Sequence, residues 1–184
     1  MADGAVHVWK ASLDLPPNRV RSLAQTLSED ERARARRFVF EQDRFRFIAR
    51  RGLLRAILGR YLHTAPCALE VRYGPYGKPA ISSGAGGSLP RFGVSHADGT
   101  ALYAVTAGRE VGVDLERIHS DFPSEDIAER FLSPGEVQAL RAVNAARRPI
   151  AFFSCRTRKE VYLKARGVGL QVAAGSVRRI ACPG

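Results

Sequence analysis

The sequence predicts an α+β fold with a coarse twofold plan, divided into residues 1–107 and residues 108–184. Short strand-like runs and helical runs do not follow the strict strand–helix–strand alternation of a parallel sheet. Each half contains helical and strand-like material, and a turn at Gly108 separates the two halves. The length of 184 residues fits one domain, or two small halves that share a core.

The N-terminal half is expected to open with a strand over residues 6–9, followed by a loop that contains two prolines. Ser28 and Glu31 form a capping box, which predicts a helix that ends near residue 40. A second helix is predicted over residues 43–62, because apolar side chains recur there at a period near 3.6. Several arginines of this helix fit either a solvated basic face or a phosphate-binding face; they are Arg46, Arg50, Arg51 and Arg55.

Three further strands are predicted in this half, over residues 69–73, 91–95 and 101–106. A turn with two glycines and two prolines follows the first of them and holds Lys78. On local pattern alone, Lys78 fits either a phosphate contact or an exposed turn residue. His96, which directly follows a strand, fits either a ligand-binding residue or a structural one.

Residues 111–117, Val-Gly-Val-Asp-Leu-Glu-Arg, have the pattern of a buried strand. Side chains alternate along a strand, so Asp114 and Glu116 are expected on one face and Val113 and Leu115 on the other. Two carboxylates on one face repel each other unless a cation lies between them, and oxygen ligands suit Mg²⁺. The alternative is a half-exposed strand with an acidic outer face.

The C-terminal half is predicted to be rich in helices. Ser133 and Glu136 form a second capping box, and Gly167 is placed to end the last helix. On that helix Glu160 and Lys164 lie four positions apart and therefore share a face. They fit either a pair of catalytic groups or an ordinary surface ion pair. The predicted helices cover residues 124–132, 133–146 and 149–166, and short strands are predicted over residues 170–172 and 177–180.

The formal net charge of +11 favours phosphate-bearing or acidic partners. Basic residues do not alternate with aromatic ones as they do on an RNA-binding sheet. The net charge is therefore the only sequence feature that supports nucleic-acid binding. No apolar run approaches the ~20 residues of a membrane span, and no secretory signal is visible. Three widely spaced cysteines form neither a disulfide framework nor a metal motif. We therefore expect a cytoplasmic protein that binds neither membranes nor nucleic acid.

Five motifs resemble, in the family's order, the 4′-phosphopantetheinyl transferases, and in particular the larger, monomeric surfactin-type group. The resemblance runs from about residue 6 to residue 170 and implies two similar α+β halves, related by a pseudo-twofold axis, in a monomer. Coenzyme A would bind between the halves. The motifs are Arg36-Arg37-Phe38 with Asp43 and Arg46, Tyr76-Gly77-Lys78-Pro79, Phe92-Gly93-Val94-Ser95-His96, Gly112-Val113-Asp114-Leu115-Glu116, and residues 159–167.

The resemblance implies Mg²⁺-dependent transfer of the 4′-phosphopantetheine arm of coenzyme A to a serine of an apo acyl or peptidyl carrier protein. The other product is adenosine 3′,5′-bisphosphate, and the activity is that of a holo-acyl-carrier-protein synthase, here of secondary metabolism. The basic surface would suit an acidic carrier. The implied site comprises Asp114, Glu116 and Glu160 as metal ligands, Glu160 and Lys164 as catalytic residues, and Arg46, Lys78, Ser95 and His96 as contacts to coenzyme A.

Two departures from the family pattern support an alternative function. Arg156 stands where the family commonly has Trp. An unpaired guanidinium buried there would cost several kcal/mol, unless it reaches solvent. The chain also stops about 14 residues after Leu170, so the second half is expected to lack part of its sheet. The alternative is a truncated, weakly active or inactive homologue that binds coenzyme A or a carrier protein without turnover.

Overall fold

The computed structural model describes residues 4–74, 77–82, 89–118 and 125–167, and it mixes helices with two small sheets. This architecture is compatible with the predicted α+β class. The pseudo-twofold relation between the halves remains a prediction. Tyr76 and the strands predicted over residues 170–172 and 177–180 lie outside the described residues.

The larger sheet is antiparallel and has the strand order β1-β5-β4. Its last two strands are joined by Asp98 and Gly99, whose φ angles of 42° and 77° match the two-residue hairpin turn that Asp-Gly favours. A separate hairpin is formed by β2 and β3. The strands are β1 Val6–Ser12, β2 Val71–Tyr73, β3 Pro79–Ile81, β4 Arg91–Ala97 and β5 Thr100–Thr106.

Both predicted capping boxes are confirmed, because Ser28 and Ser133 each accept a hydrogen bond from the backbone of the N3 glutamate. The proline-containing loop was expected to be irregular, but a helix begins at Pro17, whose fixed φ suits the first helical position. The helices are α1 Pro17–Ala24, α2 Glu29–Ala35, α3 Glu41–Leu62, α4 Glu125–Phe131, α5 Pro134–Ala142 and α6 Arg148–Arg166. Among the described helices, none combines the length and apolar character that crossing a membrane requires.

One hydrophobic core lies between α3 and the face of the larger sheet that carries Phe92, Tyr103 and Val105. A second core joins α4, α5 and α6 around Phe152 and Phe153. The chain therefore has one hydrophobic core in its N-terminal half and another in its C-terminal half. The residues between the two cores determine how the cores are positioned relative to each other.

Arg55 contradicts the expectation of a solvated basic face, because only 1% of it is exposed. Its Nε donates to Glu31 of α2 at 2.6 Å, and an Nη donates to the carbonyls of Pro66 and Leu69 at 3.0 and 2.9 Å. A buried guanidinium is tolerated only when its donors are used in this way. Arg55 thus fixes α2 and the chain after α3 against the middle of α3.

The prediction of a β-strand over residues 111–117 is wrong, because this stretch, called the carboxylate segment below, forms no strand ladder. A Cβ added to Gly93 of β4 would point out of the sheet and lie 3.3 Å from the backbone nitrogen of Val113. The segment therefore crosses the face of β4 and cannot pair in the plane of the sheet. Val111 and Val113 pack there against Ala104, which confirms the burial predicted for Val113, whereas Leu115 is only half-buried.

Candidate active site

Gly112 brings the carboxylate segment against α6. A Cβ at this position would collide with the carbonyl oxygen of Val161 and lie 2.7 Å from the backbone nitrogen of Ala165. Only glycine allows two backbones to approach this closely. Because β4 lies on the other side of the segment, at Gly93, the two glycines set the distance between the sheet and α6.

Asp114 is the best-anchored carboxylate of the segment. Its Oδ1 accepts hydrogen bonds from the Ser95 hydroxyl at 2.9 Å and from Lys164 Nζ at 2.5 Å. Ser95 is itself fixed, because its oxygen accepts from the backbone nitrogen of Leu115 at 3.2 Å and from Lys164 at 3.1 Å. Asp114 Oδ2 is buried and has no hydrogen-bond partner among the described residues. One oxygen of this carboxylate is thus held in place, and the other is left for a ligand.

Glu160 of α6 is buried beside these charges. Burial raises the pKa of its carboxyl above the usual value, and the negative charge of Asp114 raises it further. The cations Lys164 and Arg156 oppose this shift, while Glu116 adds to it. The carboxylates of the segment and of α6 therefore share one electrostatic environment.

Arg156, which stands where the resemblance implies a Trp, is paired with Glu116 and only partly exposed. One Nη lies 3.4 Å from Glu116 Oε1, and the guanidinium lies over the ring of Phe131 at 4.8 Å from its centroid. Its Nε is buried without a hydrogen-bond partner in the described part of the chain. Glu116 therefore already faces a cation from α6.

The three carboxylates have the right chemistry for Mg²⁺, a hard ion that prefers oxygen ligands. The partnerless Oδ2 of Asp114 is an oxygen of the kind that such an ion would use. Within the described ranges, however, no three His, Cys, Asp or Glu residues are gathered closely enough to form a ready metal cluster. The donor set fits the metal, while Lys164 and Arg156 now hold Asp114 and Glu116.

A group of guanidinium ions, called the arginine cluster below, surrounds Phe47 on α3. Arg34, Arg50 and Arg51 each lie 5.6–5.8 Å from the centroid of that ring. Burial and the neighbouring charge of Arg51 lower the pKa of Arg50 to about 10. Cations placed this close repel one another, and Glu31 Oε1, 4.0 Å from Arg51 Nε, offsets part of this repulsion. An open groove of about 570 Å³ begins at Arg34 and is lined by Asp30, Ala33, Arg34, Arg37 and Phe38.

His96 lies next to the arginine cluster, on the other side of β4 from Ser95, as strand alternation predicts. An Nη of Arg50 is 2.8 Å from each ring nitrogen of His96, so the guanidinium sits against the ring. Although His96 is partly open to solvent, desolvation of its ring, followed by the positive charges of Arg50 and Lys164, lowers its pKa from 6.5 to about 4. The imidazole is therefore neutral at pH 7 and would gain a proton more readily if an anion bound nearby.

Lys78 and Arg46 are both held by carboxylates. Lys78 Nζ donates to Glu110 at 2.5 Å and to the carbonyl oxygen of Ala165, near the end of α6, at 2.6 Å. Arg46 forms a two-pronged ion pair with Asp14 at 2.7 and 3.0 Å. Lys78 thus ties the β2–β3 turn to α6, whereas Arg46 lies one helical turn before Arg50 and is tied to the chain after β1.

Lys159 was not singled out from the sequence, although it directly precedes Glu160. It is 8% exposed, and its Nζ donates to Glu136 at 2.5 Å and to the carbonyl of Phe131 at 3.2 Å. Glu136 is the capping-box glutamate of α5, so one ion pair fixes α5 and the end of α4 to α6. Lysine and glutamate 23 positions apart give no local signal of this contact. Likewise, nothing in the sequence separates Arg50 and Arg51 from solvated arginines.

Comparison with known proteins gives matches over nearly the whole chain. A family described as "4′-phosphopantetheinyl transferase, N-terminal" matches residues 10–110, and one described as "4′-phosphopantetheinyl transferase superfamily" matches residues 110–182. The chain is 42% identical over 165 residues to the 4′-phosphopantetheinyl transferase HetI of Nostoc sp., covering 90% of this chain and 70% of that protein.

Two further relatives are more distant. The 4′-phosphopantetheinyl transferase AcpT of Salmonella typhi is 35% identical over 113 residues, which is 61% of this chain and 56% of AcpT. The 4′-phosphopantetheinyl transferase Sfp of Bacillus subtilis is 27% identical over 152 residues, which is 82% of this chain and 64% of Sfp. The chain therefore spans less than two thirds of the length of both.

Proposed function

The chain belongs to the 4′-phosphopantetheinyl transferase superfamily, and we propose that it transfers the 4′-phosphopantetheine arm of coenzyme A to a serine of an apo carrier protein. Adenosine 3′,5′-bisphosphate is the leaving product. The observation that carries the proposal is the contact of Asp114 with both Ser95 and Lys164, which joins three of the family-like motifs in one place.

Glu160 is the proposed general base. The carrier serine oxygen attacks the β-phosphorus of coenzyme A, the bond to the bisphosphate breaks, and a Glu160 oxygen accepts the serine proton, directly or through a water. Burial and the nearby carboxylates raise the pKa of Glu160, which makes it a better proton acceptor than an exposed glutamate. Lys164, placed beside Asp114, balances charge on the diphosphate or on the departing bisphosphate.

Asp114, Glu116 and Glu160 are the proposed ligands of Mg²⁺, which when bound would neutralise charge on the diphosphate. The partnerless oxygen of Asp114 supports this assignment. The assignment requires that Glu116 exchange its contact with Arg156 for the ion.

The phosphates of coenzyme A would be bound by His96 together with the arginine cluster. The crowding of cations around Phe47 supports this role, because a bound phosphate relieves their mutual repulsion. Arg46 and Lys78 remain proposed phosphate contacts. Each would have to share or leave its present carboxylate partner, Asp14 or Glu110.

A carrier mass-shift assay tests this function. The full chain is incubated with coenzyme A, Mg²⁺ and a panel of apo carrier proteins, including acidic ones, and each intact carrier is weighed. We expect a gain of one phosphopantetheine group on at least one carrier. Asp114→Ala should abolish the gain, while Glu129→Ala, at an exposed glutamate paired with Arg141, should keep it. No gain on any carrier, or unchanged turnover by Asp114→Ala, would refute the proposal.

A second candidate is a homologue that binds coenzyme A or a carrier protein without turnover. The ion pair between Arg156 and Glu116 favours it, because this pair occupies a proposed metal ligand. The two candidates are separated by Arg156→Trp in the same assay. If that variant modifies carriers and the unchanged chain does not, the second candidate is correct.

A further inference from the structure

Arg156 is held near Glu116 by contacts that differ in strength. The ion pair is long, at 3.4 Å, and the two side chains are 28% and 26% exposed. The guanidinium also stacks on Phe131 of α4, at 4.8 Å from the ring centroid, which keeps its charge over this part of the site. The stacking on Phe131 positions Arg156, and the ion pair itself is weak enough to exchange.

The two carboxylates of the carboxylate segment are paired with cations of α6 at different distances. Asp114 and Glu116 each face one cation from α6, namely Lys164 at 2.5 Å and Arg156 at 3.4 Å, while Glu160 lies between those two cations on the helix. Lys164 also donates to Ser95, so it is fixed by two partners. Of these two cations, Arg156 has the longer ion pair and is therefore the one that a competing ion would displace first.

We propose that Arg156 competes with the divalent metal ion for Glu116 and thereby lowers the metal affinity of this chain. The inference rests on the proposed function, since it takes Glu116 as a metal ligand. A carboxylate oxygen that faces a guanidinium gains less from a second cation, and an added positive charge close by repels the ion. Arg156 thus sets the metal concentration at which the site fills.

The size of the effect follows from the exposure of the pair. A partly exposed ion pair contributes up to about 1 kcal/mol, which corresponds to about a fivefold change in a binding constant. Repulsion between Arg156 and the bound ion acts in the same direction. We therefore expect removal of the charge to tighten metal binding by about five- to tenfold at low salt, and by less at high salt.

The experiment measures binding of Mn²⁺ alone to the full chain by electron paramagnetic resonance, without coenzyme A or carrier. Arg156→Met should bind Mn²⁺ about five- to tenfold more tightly than the unchanged protein, and Arg156→Lys, which keeps the charge, should stay closer to it. Arg158→Met is the matched control, because it removes an exposed arginine from the same helix. Its affinity should change by less than about twofold.

A double-substitution test ties the effect to Glu116. In a Glu116→Gln background, Arg156→Met should tighten Mn²⁺ binding clearly less than it does in the unchanged protein, because only the direct repulsion between Arg156 and the ion remains. Each variant is checked for folding by its thermal unfolding midpoint, and Arg156→Lys provides a second readout if Arg156→Met is unstable. Equal affinity of the unchanged protein and Arg156→Met overturns this inference and leaves the proposed function standing. If Mn²⁺ binds to none of the proteins, the inference and the proposed metal site fail together.

Discussion

Gly112→Ala adds a single methyl group where the carboxylate segment meets α6. The new Cβ would collide with the Val161 carbonyl oxygen and lie 2.7 Å from the Ala165 nitrogen. An ordinary contact at the latter atom is 3.4 Å, so relieving that contact alone takes a shift of about 0.7 Å, and the collision with the Val161 oxygen requires a larger one. Both obstructing atoms belong to helix backbone, which cannot turn aside as a side chain can.

Such overpacking typically costs about 1–3 kcal/mol of folding free energy. The retreat also moves Glu160, which directly precedes Val161, away from Asp114. A misplacement of about 1 Å in a catalytic group can lower turnover by as much as about 100-fold, so we expect a loss between 10- and 100-fold.

Urea unfolding and the carrier mass-shift assay measure the two effects separately. Gly135→Ala is the matched control: it makes the same change in α5, where nothing lies within 4 Å of the added Cβ. That control should be neutral or more stable by up to about 1 kcal/mol. If Gly112→Ala unfolds at the same urea concentration as the unchanged protein, and turns over at the same rate, the close contact between the segment and α6 does not position the site.

Three further predictions concern other parts of the structure. Glu31→Gln should lower the unfolding free energy by about 3–5 kcal/mol, because it leaves Arg55 buried without its charge partner, whereas Glu29→Gln, at an exposed glutamate, should leave the urea midpoint nearly unchanged. Lys159→Met and Glu136→Gln should each destabilise the protein, and the double variant should lose less than the sum of the two; additive losses would show that the ion pair does not join α5 to α6. In the free protein, NMR should find a His96 pKa near 4, and added adenosine 3′,5′-bisphosphate should raise it; an unchanged pKa in the presence of bound ligand would remove His96 from the phosphate site.

The shifted His96 pKa also fixes the sign of a pH effect on stability. The folded-state pKa of about 4 lies below the ordinary value of 6.5, so between these pH values the unfolded chain binds more protons. His96 therefore destabilises the fold progressively as the pH falls from about 6.5 to about 4. A His96→Ala variant should lose part of that pH dependence in urea titrations, while Glu29→Gln should keep it.

Local patterns predicted the features that depend on neighbouring residues. The capping boxes at Ser28 and Ser133 form within four residues, and the helix stop at Gly167 needs only a left-handed conformation, here with φ of 67°. The period-two pattern of residues 111–117 correctly placed Val113 in a core, but not Leu115, which is half-buried. The pattern could not show that the segment lacks hydrogen-bonded pairing with a neighbouring strand. That pairing depends on the space between β4 and α6, which local sequence does not determine.

Long-range ionic contacts could not be predicted in this way. Arg55 looked like any exposed helical arginine, and its burial follows from Glu31, 24 positions away. The contact between Ser95 and Lys164 spans 69 positions, and only the order of family-like motifs suggested that the two would meet. Arg156 was recognised as a departure, but its pairing with Glu116 required the packing of Phe131.

The proposed phosphate contacts of the arginine cluster and the proposed base Glu160 lie on different helices. The arginine cluster depends on α3 and on α2, which Arg55 holds in place, whereas Glu160 depends on α6, which is fixed by Gly112, Lys159 and Lys78. A substitution that disturbs the helices of the arginine cluster should therefore leave α6 largely intact, and the reverse should also hold. Arg50→Met should therefore raise the KM for coenzyme A and leave Mn²⁺ affinity unchanged, while Gly112→Ala should mainly lower kcat. If Arg50→Met weakened Mn²⁺ binding as strongly as it weakened coenzyme A binding, the two regions would have to act as one site.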